Sequence, residues 1–176
     1  GSGTKNGPKE IIKASHQVEL FDEDLNKEPY KSIGIKTLKP FPIKKDLKNA
    51  IDQIAKINKE IISKNKFPLV FGGEHSITPG SIKPFTEKYS ELTILHFDAH
   101  ADLRNAYEGF EQSHASIMFN ALKNCNNLSK LVQVGIRDIA QSEVDLIENS
   151  NGRVKTFFDW DLKEQQFEGK TWKEQV

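Results

Sequence analysis

Between Leu92 and Asp102 the chain sets Asp98, His100 and Asp102 at alternate positions. On an extended backbone alternate side chains share a face, so all three can converge on one point. Two carboxylates and an imidazole at that spacing are metal-ligand chemistry. A separate segment, Gly72-Gly73-Glu74-His75-Ser76, offers a second imidazole. His75, Asp98, His100 and Asp102 together supply nitrogen and carboxylate donors and no thiolate, which suits Mn²⁺, with Zn²⁺, Fe²⁺ or Co²⁺ as alternatives. Asp98, lying between ligand groups, can bridge two ions. Paired ions about 3.5–4 Å apart hold a hydroxide and lower its pKa toward neutrality. The plainer alternative is that Asp98 and Asp102 cap a following turn.

The other histidines carry weaker signals. His96 lies inside the apolar run in phase with Asp98, and reads as a satisfied core histidine. His16 ends a helix, where a cation suits the dipole. His114 opens a helix after a ten-residue polar loop that starts beside the metal motif. A helix amino terminus favours the neutral imidazole, the form that accepts a proton, so His114 is either an acid–base group or a surface residue. Asp159 and Asp161 repeat the Asp-x-Asp spacing without a nearby histidine, and read as a strand end or a helix cap.

These residues need a scaffold. Leu92 to Phe97 is an apolar run of β-forming type, consistent with a buried strand. Phe67 to Phe71 reads as another, with Pro68 near its start, where a missing donor is tolerated. Leu131–Gly135 and Val154–Phe158 are further strand candidates, and Gln17–Phe21 and Ser32–Ile35 read as short extended pieces. Asp46 is placed to cap a helix whose apolar face is Leu47, Ala50, Ile51, Ile54, Ile57, Ile61 and Ile62. Other helices are predicted from Pro8 to about His16, from near Pro79, over Ser113–Leu122 and over Ser142–Glu148. Strands alternating with helices imply parallel βαβ units, and in such sheets ligands collect at the carboxyl ends of the strands. That rule brings His75 and the 98–102 segment to one rim.

The composition narrows the function. A chain of 176 residues fits a single domain spanning 1–176. Lys+Arg and Asp+Glu both number 25, and this balance disfavours a nucleic-acid partner. Cys125 is the only cysteine, so no intrachain disulfide forms, which suits a cytoplasmic location. No apolar run reaches the roughly 18 residues that cross a membrane.

The segments Phe71-Gly72-Gly73-Glu74-His75-Ser76 and Phe97-Asp98-Ala99-His100-Ala101-Asp102 closely resemble the first two signatures of the ureohydrolase (arginase/agmatinase) family. Gly3-Thr4, Gly7-Pro8, Ala14-Ser15, Ser113-His114 and Val134-Gly135-Ile136-Arg137 match in the same order, so the resemblance covers nearly the whole chain. It implies an α/β architecture: a three-layer α/β/α arginase-like fold around a mostly parallel sheet, here incomplete at both ends. It also implies two Mn²⁺ ions per subunit, one held by His75, Asp98 and Asp102, the other held with help from Asp98 and His100. A bridging hydroxide would attack the guanidinium carbon of a small guanidino substrate, releasing urea and an amine, with His114 passing a proton to the amine.

Leu103-Arg104 and Tyr107-Glu108-Gly109 make the loop more similar to agmatinases than to arginases. Agmatine, yielding putrescine, is therefore the expected substrate, with arginine or guanidinobutyrate as alternatives, and a homo-oligomer is the expected assembly. The third family signature, whose two aspartates complete both metal shells, has no counterpart. The chain thus reads as an internal piece of a longer ureohydrolase, expected as written to bind metal weakly and turn over little. A non-catalytic metal-binding or scaffold relative is the competing class.

Overall fold

Three parallel strands, β1 (Leu92–Phe97), β2 (Leu128–Ile136) and β3 (Val154–Phe158), lie side by side in that order. They come from a computed structural model that describes residues 3–43 and 46–176. The register sets Ile94 beside Leu131 and Leu131 beside Val154, and one step further along it sets His96 beside Gln133 and Gln133 beside Thr156. Side chains of one strand alternate between faces, so these rows share a face. One row is an apolar floor and the next is polar.

Seven helices accompany the sheet among the described residues: α1 (Gly7–Ser15), α2 (Leu47–Ser63), α3 (Thr78–Lys88), α4 (Ile117–Asn124), α5 (Gln141–Glu148), α6 (Asp159–Phe167) and α7 (Trp172–Gln175). The apolar row is covered by Ile117 and Met118 of α4 and by Leu146 and Ile147 of α5, leaving Leu131 fully buried. Ile82 of α3 joins Ala121 and Leu128 in a second cluster. Burying Leu131 or Ile117 contributes about 1.5–3 kcal/mol each.

Helix α2 starts where the sequence places it, because the Asp46 carboxylate accepts the Asn49 N–H at 2.9 Å. Its buried residues include Ala50, Ile54 and Ile62, on the expected stripe. It lies close against α3: a β-carbon on Gly80 would come within 2.7 Å of the Ile51 carbonyl oxygen. No helix among the described residues is long and apolar enough to cross a membrane.

The expected strand over 67–71 does not form. That segment joins no ladder, and Phe67 and Leu69 are 81% and 75% exposed. A strand buried on both faces needs cover, yet on the face of β1 away from the helices Leu95 and Phe97 remain exposed. Among the described residues nothing covers that face, and the apolar run stays irregular, with Phe67 and Leu69 in solvent. The short pieces over 17–21 and 32–35 are likewise irregular, with Val18 and Ile35 exposed.

Candidate metal centre

The loop leaving β1 is tied down residue by residue. Asp98 continues the ladder through its N–H to the Val134 carbonyl, and its Oδ1 accepts the His100 N–H at 3.0 Å, closing a tight Asx turn. The N–H groups of Arg137 and Asp138 both donate to the Ala99 carbonyl, at 2.8 and 3.1 Å. Gly135 allows this close approach: it sits at φ +90°, and a β-carbon there would lie 3.3 Å from the Asp98 carbonyl oxygen.

Asp102 adopts a left-handed backbone, φ 55°, which costs on the order of 1–3 kcal/mol unless its surroundings enforce it. They do so from two sides. The Asp102 carbonyl accepts the Met118 and Phe119 N–H groups, which the first turn of α4 leaves unpaired. The next residue, Leu103, donates its N–H to the buried Glu143 carboxylate at 2.9 Å. Glu143 also accepts the Ala140 N–H at 2.9 Å, so α5 clamps the far end of the loop.

His75 comes from a different part of the chain. Gly73 admits the backbone of the amino-terminal segment, since a β-carbon there would overlap the Thr4 carbonyl oxygen, and Gly72 leaves room for the Ile77 side chain. Glu74 then caps a short 3-10 turn over His75–Ile77, its carboxylate accepting the Ser76 N–H and the Ser76 hydroxyl.

This brings the His75 Nδ1 to 3.0 Å from Asp102 Oδ2 and 3.4 Å from Asp98 Oδ2. One ligand atom each from His75, His96, Asp98 and Asp102 lies within 4.8 Å of all the others. Ligand bonds of about 2.1 Å put neighbouring donors about 3.0–3.4 Å apart around an octahedral or tetrahedral ion. The His75–Asp102–Asp98 spacing and the mixed nitrogen and oxygen donors therefore fit a divalent cation.

The electrostatics agree. The hydrogen bond to Asp102 raises the His75 pKa; burial opposes this, and the charges of Asp102, Asp98 and Glu74 reinforce it. Burial pushes His96 the other way, below the usual imidazole value, against the pull of Asp98 and Asp102. Burial alone would raise Asp98, but the His100 N–H, the neighbouring His96 and His75 and the Ala99 N–H together hold it below the usual carboxylate range.

Three of the four expected ligands thus meet. His100 stands on the other side of Asp98, its Nδ1 3.7 Å from Asp98 Oδ1 and its Nε2 3.6 Å from Asp138 Oδ2. His114 lies in a 3-10 turn ahead of α4 rather than at the helix terminus, whose free N–H groups are taken by Asp102. It faces the Glu74 carboxylate at 3.7 Å and meets the Tyr107 ring edge-on, and its turn packs against the turn that carries His75. A cavity of about 300 Å³ beside His75 is lined by Gly72, Gly73, Glu74, Thr78 and Ser81 among others. Asp159 and Asp161 fall in the first turn of α6, outside the cluster.

Sequence reasoning did not single out Gln133, Thr156, Glu143 or Asp138. A lone glutamine in the apolar run of β2, opposite a histidine in β1, was the available signal for Gln133.

A family profile described as the Arginase family matches residues 1–173. The N(1)-aminopropylagmatine ureohydrolase of Synechocystis is 33% identical over 159 residues, covering 85% of this chain and 50% of that protein. The agmatinase of Bacillus cereus is 34% identical over 118 residues, covering 65% of this chain and 39% of that protein. The crystal structure of the agmatine ureohydrolase of Thermoplasma volcanium superimposes with a TM-score of 0.79 at 24% identity, covering 98% of this chain and 58% of that one. The likeness establishes the α/β fold. This chain spans about half the length, or less, of the curated relatives named.

Proposed function

Because the chain belongs to the arginase family, we propose that its site hydrolyses a small guanidino compound with the help of bound divalent metal, most favourably Mn²⁺. The observation that carries this reading is the approach of His75 to both Asp102 and Asp98 at the carboxyl end of β1. A guanidinium carbon is a poor electrophile, and bound divalent ions would supply the Lewis-acid activation of water that its attack requires.

In this reading His75, Asp98 and Asp102 hold one ion, and Asp98 with His100 contributes to a second. Asp98 suits the shared role because its oxygens face opposite ways, Oδ2 toward His75 and Oδ1 toward His100. His114, beside Glu74 and on the turn packed against that of His75, gives a proton to the departing amine. We assign agmatine as substrate, with putrescine and urea as products. The loop of Leu103, Arg104 and Tyr107 supports that choice, with the Arg104 guanidinium over the Tyr107 ring, as does the likeness to the agmatinase of Bacillus cereus.

The test is urea release from agmatine, arginine and guanidinobutyrate with added Mn²⁺, on this chain and on any longer product of its reading frame. Metal-dependent urea from agmatine ahead of the other two is the expected result. Mn²⁺ binding without urea from any of them would favour the non-catalytic reading.

A further inference from the structure

We propose that His96 is not a metal ligand but a positioning residue, whose Nε2–H holds the Asp98 carboxylate in its ligating pose through a relay that starts on β3. The proposal rests on the metal-site reading above. His96 is 4% exposed and Gln133 fully buried, and neither has a part in the chemistry just described.

The relay can be assigned from donors and acceptors alone. The Gln133 amide end nearest the Ala101 carbonyl is 2.7 Å from it. A carbonyl only accepts, so that end is the NH₂ group. Its second hydrogen meets His96 Nδ1 at 3.0 Å. Nδ1 therefore accepts, and the imidazole proton resides on Nε2. Nε2 lies 3.3 Å from Asp98 Oδ2, to which it donates. At the other end the Thr156 hydroxyl donates to Gln133 Oε1 at 3.1 Å, which holds the amide in this orientation. The three side chains occupy one row across β3, β2 and β1, so strand register delivers the relay.

Two consequences follow for the site. A protonated Nε2 has no lone pair for a cation, so His96 drops out of the four-residue cluster and leaves His75, Asp98 and Asp102. Asp98 is held at both oxygens, by the His100 N–H on Oδ1 and by His96 on Oδ2. Such outer hydrogen bonds typically change metal affinity by about 10–100-fold.

The test begins with two-bond ¹H–¹⁵N spectra of the wild-type chain, without metal and with diamagnetic Zn²⁺. His96 should show an unprotonated Nδ1 and a protonated Nε2 in both states. Loss of the Nε2 proton on Zn²⁺ addition, or the opposite tautomer at the start, overturns the proposal. Gln133→Met should release the tautomer. His96→Phe should weaken Mn²⁺ binding by about 10–100-fold, whereas His96→Gln, whose amide NH₂ can occupy the Nε2 position, should restore binding close to wild type. Equal weakening by both substitutions would reduce His96 to a packing residue. Failure of the wild type to bind any divalent ion overturns this proposal and the reading beneath it. Binding without urea release leaves this proposal and the metal-site reading standing and overturns only the assigned hydrolysis.

Discussion

The imidazole of His75 and the carboxylate of Asp102 meet at 3.0 Å although a capped turn carries one and a strained loop after β1 carries the other. Their pairing gives the metal-free protein a pH dependence of definite sign. His75 is raised above its ordinary value of 6.5. Its contribution to stability is therefore full below about pH 6.5 and is lost as pH rises through the folded value. A metal ion must displace that proton, so apparent affinity climbs over the same range. Thermal unfolding in chelator should show wild type ahead of His75→Asn at mildly acidic pH, with the gap closing in alkali. A gap that widens with pH would contradict the pairing.

Asp98 behaves oppositely. Its lowered pKa contributes stability above its ordinary value of 3.8, and this is lost as pH falls through the folded value. Asp98→Asn should flatten the acid limb of the unfolding profile relative to wild type. An unchanged limb would show that the His100 N–H and the two imidazoles do not select the charged form.

Glu143 tests whether the loop is clamped from outside. Replacing it with Ala leaves the buried N–H of Leu103 and the half-buried N–H of Ala140 without their acceptor. The Leu103 loss alone costs about 1–3 kcal/mol. Glu143→Gln keeps one oxygen and should recover part of the loss. Denaturant unfolding measures the cost, and Mn²⁺ titration should show affinity falling in the same order. If the alanine variant binds as wild type does, the loop holds Asp102 without α5.

Gly73→Ala probes the other half of the site. Its β-carbon would strike the Thr4 carbonyl oxygen, and backbone on both sides must move. A loss of about 1–3 kcal/mol in denaturant unfolding is expected, together with weaker metal binding as His75 shifts.

Asp159 and Asp161 should be dispensable for metal. Both lie in the first turn of α6, where carboxylates favour the helix by about 0.3–1 kcal/mol each. The double Asn variant should lose that much stability and keep its Mn²⁺ affinity. A large fall in affinity would overturn their reading as helix-terminal carboxylates and make them ligands.

Local chemistry made much of this legible. The Asp46 cap, the stripe on α2 and the strand over 154–158 follow from side-chain hydrogen bonding and hydrophobic spacing, which act within a few residues. The spacing of Asp98, His100 and Asp102 at the end of β1 was legible in the same way, whereas His75 reaches that rim from a capped 3-10 turn and not from the end of a strand. Tertiary structure decided what depends on partners distant in the chain. The segment 67–71 carries strand chemistry but stays unpaired, because burial requires neighbours that residue type alone cannot supply. Asp102 is held left-handed by N–H groups of α4, and the lining of the site was settled by register. Only the pairing of β1 with β2 and β3 reveals that Gln133 and Thr156 stand in line with His96, and so which nitrogen of that histidine faces Asp98 with a proton.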